Sequence, residues 1–384
     1  MIVRRAFKFR LNPNRGQYEK FGQFAGARRW IYNWGLELRQ KTYSETKKTL
    51  SCFEQNNQLV FLKEQPMTKW LDTVHSQVLQ QALKDLDQAY QHFFRRVKQG
   101  ETPGHPKFRK RGVRDTFRYP QGVKVQESKV YLPKIGWVKF RKSREIQGDI
   151  KETTIVQEGE HWYVCFSCEW EKSAPQPAPI DEERAIGIDL GIKHFAVSAS
   201  GTSNIPQFIS NLRIFNRLLS RLKILSRRLA KKAKGSRNRL KARLQLSKLH
   251  ARIANVRKNF AQQLSTQIVK NHDIICVESL DISELLQKSA RSLSRNIADA
   301  AWRYFLNCLK YKTEEFGKHL VEVGKYFPST QICSSCLNRQ KLDLTMREYH
   351  CPNCGLKIDR DLNSAISLKA AGMTVLTACG ATIR

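Results

Sequence analysis

Acidic residues are scarce in this chain. Its 384 residues hold 34 Asp and Glu against 68 Lys and Arg, a formal charge of +34. So large a charge exceeds what solubility needs and favours a polyanionic partner, nucleic acid ahead of a membrane surface. Also missing is any run of about 18 apolar residues, so no segment is expected to span a bilayer. The basic opening MIVRRAFKFRLNP runs into an alternating strand rather than the apolar core of a signal peptide, so export is not expected. No repeat of about 20–50 residues is evident, which sets aside repeat architectures. An apolar content of 41% with 10% aromatics excludes a disordered polycation.

What is present reads as alternating strand and helix patterns. VRRAFKFRL (3–11) is strand-like, and the turn NPNRG closes it. From Gln17 to about Val97 the pattern is helical, with Phe21, Phe24, Trp30, Ile31 and Trp34 at helical spacing in one segment. Val78, Leu79, Leu83, Leu86, Tyr90 and Phe93 repeat the pattern in a second. A basic connector, GETPGHPKFRKRGVRDTF, leads to short strands over 117–170. With the first strand these are expected to form a β-barrel-like domain carrying the helical module as an insertion. KSAPQPAPIDEE (172–183) reads as a linker. Beyond it come the apolar strand AIGIDLG, the strand HFAVSAS, a long helical region at 211–270 broken near Lys234-Gly235-Ser236, and the strand DIICVES. One amphipathic helix is expected over 294–316, then a strand at 319–324.

Ten cysteines without an export signal suggest metal binding in a reducing compartment rather than disulfides. Cys333-Ser-Ser-Cys336 and Cys351-Pro-Asn-Cys354 place two C-x2-C knuckles fourteen residues apart. Each can present two thiolates to a tetrahedral zinc; four cysteine ligands leave no open position, so the zinc is expected to be structural. His350 is then a bystander. Cys165-Phe-Ser-Cys168 has the same form but lies in a strand, where residues three apart face opposite ways, and reads as core packing.

Asp189 lies in AIGIDLG and Glu278 ends DIICVE. Between 190 and 272 there are 19 Lys and Arg and no Asp or Glu. Carboxylates on buried strands beside such a basic stretch have a reason to exist if they bind divalent cations next to a polyanion. A locally bonded edge Asp is the ordinary alternative. Asp361 opens the helix DLNSAISLKAAG and is open to both readings, metal ligand or helix cap, with Asp359 a candidate for the cap. In NLRIFNRLLSRLKILSRRLAKKAK, Phe215, Leu218, Leu219, Leu222, Leu225 and Leu229 form an apolar stripe, while Arg217, Arg221, Arg228 and Lys232 lie elsewhere. With no acids interspersed to pair with them, these cations suit phosphate contact better than a merely solvated face. Lys107, Arg109, Lys110 and Arg111 of the connector are further phosphate candidates, against the alternative of a solvated loop.

Taken together, the Asp in GIDLG, the Glu in VES, the paired knuckles and DRDLNSA resemble the TnpB family, transposon-associated RNA-guided DNA endonucleases related to type V CRISPR effectors. FKFRLNPNRGQ, RRWIYNWGLE, HPKFRKR, FPSTQICSSC and CPNCG resemble family landmarks in the family's order, over nearly the whole chain. One departure is CSSCLN, where a glycine commonly follows the second cysteine.

The resemblance implies a multidomain α+β protein: a wedge-like β-barrel (1–12 and 101–171), a helical recognition module (13–100), the linker (172–183), an RNase H-like, RuvC-like α/β nuclease domain (184–325 and 355–372), a four-cysteine zinc-binding insertion (326–354) and a C-terminal tail (373–384). It implies that Asp189, Glu278 and Asp361 hold two catalytic Mg2+ ions for phosphodiester hydrolysis, with Asn363 orienting Asp361 or a bound water. The implied partners are a guide RNA from the transposon end and target double-stranded DNA, bound by a monomer in a cytoplasmic, nucleoid-associated ribonucleoprotein. Gln77, Gln80 and Gln81 are candidates for reading base edges of a short adjacent motif. Two rivals remain: a strand-transferring transposase using the same acids, and a non-catalytic zinc protein that binds nucleic acid as a regulator.

Overall fold

The first strand sets the architecture of the N-terminal half. In β1 (Ile2–Asn12), Phe7, Phe9 and Leu11 are buried while the residues between them are not, the period of a one-sided sheet. The structure, a computed structural model, describes residues 1–111, 115–201, 207–343 and 346–378. The chain divides between Ser173 and Ala174 into two compact units.

After β1 the first unit turns helical: α1 (Arg15–Thr46), α2 (Cys52–Glu64) and α3 (Ser76–Lys98). A capping box starts α1: Asn14 Oδ1 accepts from the Gln17 amide at 2.8 Å, and Gln17 Oε1 accepts from the Asn14 amide at 3.1 Å. Phe21, Phe24, Ile31 and Leu36 are buried in one core with Val78, Leu79, Leu83 and Leu86 of α3. Trp30 of the aromatic series points outward, edge-on to Trp70 at 5.8 Å.

Six strands follow: β2 (Thr116–Tyr119), β3 (Lys124–Gln126), β4 (Lys129–Leu132), β5 (Gly136–Phe140), β6 (Asp149–Glu158) and β7 (His161–Glu171). With β1 they form one antiparallel sheet in the order β2-β6-β7-β1-β5-β4-β3. This corrects the expected barrel. Among the described residues the sheet is open, with β2 and β3 as its edges, and strands of four and three residues are too short to curl round and close it. Cys168 is buried in the core, and Cys165 faces the other way.

The second unit contains β8 (Ala185–Leu190), β9 (His194–Ser200), β10 (Phe208–Ser210), α4 (Ile214–Ala230), α5 (Arg237–Asn271), β11 (Ile274–Glu278), α6 (Ile282–Lys288), α7 (Arg291–Ala300), α8 (Trp302–Phe316), β12 (His319–Val323), β13 (Glu348–His350), β14 (Lys357–Asp359) and α9 (Arg360–Ala378). Its main sheet runs β10-β9-β8-β11-β12; β8, β11 and β12 are parallel, and β9 and β10 are antiparallel additions. Parallel strands covered on both faces should be apolar throughout, and AIGI and IICV are fully buried. Ile186, Ile188, Ile275 and Val277 share a core with Leu264 and Ile268 of α5 and Phe305 and Leu309 of α8. The opposite face receives α9.

The helix expected over 294–316 is two helices, broken at Ala301 with φ 58°. Asp299 of α7 accepts from the Phe215 and Asn216 amides at the start of α4 and from Arg257 of α5. Trp302, Phe305 and Leu309 of α8 pack under the sheet. One straight helix could not aim both sets, and the left-handed step costs about 1 kcal/mol. The tail also starts later than expected: residues 373–378 continue α9, with Met373 buried, and 379–384 lie outside the described residues. Among the described residues no helix is long and apolar enough to cross a membrane.

Candidate active site

Strand alternation and one close helix–strand contact decide where the acids go. Gly187 of β8 lies directly under α9: a Cβ there would collide with the Ala365 carbonyl and sit 2.7 Å from the Lys369 amide nitrogen. Cys276 of β11 touches Gly372 of α9 in the same way. Residues two further along a strand share its face, so Asp189 and Glu278 both point to the α9 side. Val277 pairs with Ile188 in the parallel register, and one more step sets Glu278 level with Asp189. Asp361 lies one helical turn before Ala365. The three acids named from sequence therefore meet at the carboxyl end of the parallel strands, where α9 begins.

The other two acids act on Asp189. Burial, then the charges of Asp361 and Glu278, push the Asp189 carboxyl up to about 7, with the positive charge of Arg360 opposing them. Burial also raises Glu278. Three half-buried carboxylates at one place, two of them raised by burial, are a chemical fit for a cation. The trio is wider than a single-ion cage: among the described residues, only the four thiols below bring three or more ligand atoms within 4.8 Å of one another.

Asp361 is not the cap of α9. Asp359 is: its Oδ1 accepts from the Asp361 amide at 2.9 Å and the Leu362 amide at 3.1 Å. The Asp361 carboxylate instead accepts from Arg360, at 3.3 Å from Nε and 3.2 Å from a terminal nitrogen. The pair is largely buried, with side-chain exposures of 13% and 18%. Arg360 was not singled out from sequence; an arginine held between two aspartates in a site of acids was the available signal.

Cys333, Cys336, Cys351 and Cys354 converge. Cys333 lies 3.6 Å from Cys354 and Cys336 lies 3.5 Å from Cys351, sulfur to sulfur. Zn–S bonds of about 2.3 Å in a tetrahedron put sulfurs about 3.8 Å apart, so the set fits zinc with little movement. Hydrogen bonds help two of the thiols to ionise: Asn353 and Asn338 lower Cys336 to about 6, and the Cys354 and Asn353 amides lower Cys351. His350 is exposed on β13 and outside the cluster. The two knuckles have parallel backbones, with Leu337 N donating to Cys333 O and Gly355 N to Cys351 O, each at 3.0 Å. Gly355 adopts φ 73° after the second knuckle, and Leu337 adopts φ 61° after the first, where the family's usual glycine is missing.

The Asn363 side chain makes its hydrogen bonds to the first knuckle rather than directly to Asp361. It is fully buried; its Nδ2 donates to the Ile332 carbonyl at 2.7 Å, and its Oδ1 accepts from the Ser334 amide at 2.9 Å. Both ends of the amide are thus committed to the backbone on either side of Cys333, not to Asp361. Ser364 adds a bond to Ser329 at 2.9 Å.

The nucleic-acid candidates divide. Arg217, Arg221, Arg228 and Lys232 are exposed on and just after α4, whose apolar stripe is covered by Leu246, Leu249 and Ile253 of α5. Arg221 and Arg228 line a groove of about 460 Å³ together with Lys248 and Arg252. Lys107, Lys110 and Arg111 are exposed or nearly so. Arg109 is not: it stacks over the Tyr32 ring at 3.7 Å, and Asn33 clamps its backbone, which makes it a packing element. Gln80 is exposed and Gln81 half-buried, whereas Gln77 Oε1 is buried without a hydrogen-bond partner among the described residues.

The chain matches known proteins along most of its length. Residues 165–289 match the OrfB IS605 family model, described as a probable transposase. Residues 302–368 match a Cas12f1-like TNB domain, and 1–48 match a helix-turn-helix domain. The chain is 33% identical over 391 residues to the Escherichia coli (strain K12) protein named "Putative RNA-guided DNA endonuclease InsQ", covering 98% of this chain and 94% of that one. A Streptomyces pristinaespiralis protein carrying the same designation without the final symbol is 33% identical over 392 residues, covering 100% of this chain and 92% of that one. Among solved structures, the protein of a Cas12f1–sgRNA–target DNA complex matches with a TM-score of 0.55 at 13% identity, over 96% of this chain and 99% of that one.

Proposed function

The chain belongs to the OrfB IS605, or TnpB, family, and from that membership we propose that it is an RNA-guided DNA endonuclease. The observation that carries the proposal is the meeting of Asp189, Glu278 and Asp361 at one end of the second unit's sheet, with the Asp189 carboxyl pushed up to about 7 by burial first and then by the charges of Asp361 and Glu278. The strand order β10-β9-β8-β11-β12, three antiparallel strands followed by two parallel to β8, supports an RNase H-like, RuvC-like reading of that unit.

In this reading the three acids hold two magnesium ions, which would lower the pKa of the attacking water and stabilise the leaving 3′ oxygen. The chain's own residues do the rest. The rigid β8–β11 register fixes Asp189 against Glu278, and Asp359 fixes the first turn of α9 and with it Asp361. The thiols hold one structural zinc. Guide RNA and target DNA are the partners, and the acid-free basic hairpin α4–α5 is the surface offered to their phosphates.

The test is cleavage of a guide-matched duplex by the purified ribonucleoprotein. Cutting should require Mg2+ and the cognate guide and should vanish in Asp189→Ala, Glu278→Ala and Asp361→Ala. The family model's description as a transposase supplies a second reading. Joined transposon ends formed without any guide would favour it, and guide-independent cutting would count against the first.

A further inference from the structure

Arg360 raises a question that the carboxylate site leaves open. A guanidinium beside a metal-binding carboxylate repels the cation that the carboxylate is there to bind. Yet Arg360 is buried against Asp361, and its field reaches Asp189. Its backbone is fixed: its amide donates to the Arg347 carbonyl at 2.8 Å, and it forms the first residue of α9 immediately after the capping Asp359. The side chain therefore starts from a set point and can reorient only by its own torsions. The bonds from its Nε and terminal nitrogen fall on one oxygen of Asp361, Oδ1, at 3.3 and 3.2 Å, which is longer and less symmetrical than the forked pairing of a permanent arginine–carboxylate bridge.

Building on the nuclease reading, we propose that Arg360 exchanges partners during the reaction: it neutralises Asp361 in the metal-free site and, once divalent cations take that carboxylate, turns to a phosphate oxygen of the bound DNA strand. The chemistry suits both states. In the first, the guanidinium offsets the charges of acids that meet at the carboxyl end of the parallel strands. In the second, the same fork matches a phosphate, and its charge lies where negative charge develops as the phosphodiester is attacked. Arg360 is then a catalytic residue, and a competitor of the metal.

The two roles predict effects of opposite sign, which a purely structural arginine would not give. Mn2+ binding to the full-length protein, followed by calorimetry or electron paramagnetic resonance, should tighten about tenfold in Arg360→Met, because a competing cation is gone. At saturating metal, single-turnover cleavage by the Arg360→Met ribonucleoprotein should fall at least tenfold, and Arg360→Lys should recover part of the loss. Near-UV circular dichroism and zinc content serve as fold controls. Weaker or unchanged Mn2+ affinity in a folded Arg360→Met protein would overturn the proposal, and so would a full cleavage rate. Should the wild-type complex fail to cut at all, the nuclease reading falls, while the Mn2+ arm still decides whether Arg360 competes with metal.

Discussion

Asn363 and Ile332 are joined by a 2.7 Å hydrogen bond that ties the helix carrying Asp361 to the knuckle carrying Cys333. The same amide holds Ser334 from the other side of that cysteine, so the thiol cluster and the carboxylate site share one rigid link. In Asn363→Asp the donor to Ile332 is lost and the acceptor remains. Zinc content should stay at the wild-type level, while cleavage falls about 10- to 100-fold, the usual scale for residues that orient metal ligands. Metal analysis alongside single-turnover kinetics checks this; unchanged cleavage would mean that the link does not position Asp361.

Leu337 is strained where its counterpart Gly355 is not. A left-handed leucine costs about 1–2 kcal/mol, against about 0.5–1 kcal/mol of extra chain entropy for glycine. Leu337 is 72% exposed, so little burial is lost on replacing it. Leu337→Gly should raise the melting temperature of the zinc-loaded protein by about 1–3 °C. A lower melting temperature would show that Leu337 contributes something other than its turn.

The raised carboxyl of Asp189 links stability to pH. Above the ordinary aspartate value of 3.8 the unfolded chain has lost this proton, while the folded chain keeps it to about 7. The folded state thus binds more protons in that window, and this group's contribution to stability falls as pH rises through it. In Mg2+-free buffer at pH 8 with zinc bound and no chelator, Asp189→Asn should melt several degrees above wild type, and the gap should shrink as pH falls towards the ordinary aspartate value. Added Mg2+ should stabilise the wild type and not the variant. Calorimetry with and without metal checks both signs.

On the basic hairpin, Arg221→Gln with Arg228→Gln should weaken guide-RNA binding and flatten its dependence on log salt by about 1.5–2 units, close to one for each phosphate no longer neutralised. An unchanged slope would place the RNA elsewhere.

Much of this was legible along the chain because it depends on local rules. The cysteine spacing marks two knuckles, since each C-x2-C turn closes on itself. The apolar runs AIGI and IICV mark buried parallel strands, since both of their faces must be covered. The break at Gly235 was readable because glycine takes a conformation its neighbours avoid. The break at Ala301 was not, because its cause is the buried demand of Asp299 on α4 and Arg257, far away in sequence. Closure of the first sheet was misjudged for a related reason: strand number is visible in a pattern, but whether short edge strands reach each other is not.

By itself the sequence determined which residue types were available: thiols for a soft ion, carboxylates for a hard one, and a charge that calls for a polyanion. Only the tertiary structure decided that Asn363 serves the knuckle, that Asp359 rather than Asp361 caps α9, and that Arg360 lies against the acids. Those assignments depend on which groups a folded chain leaves within hydrogen-bond reach of one another, and that distance is set by packing between segments whose separation along the chain says nothing of it.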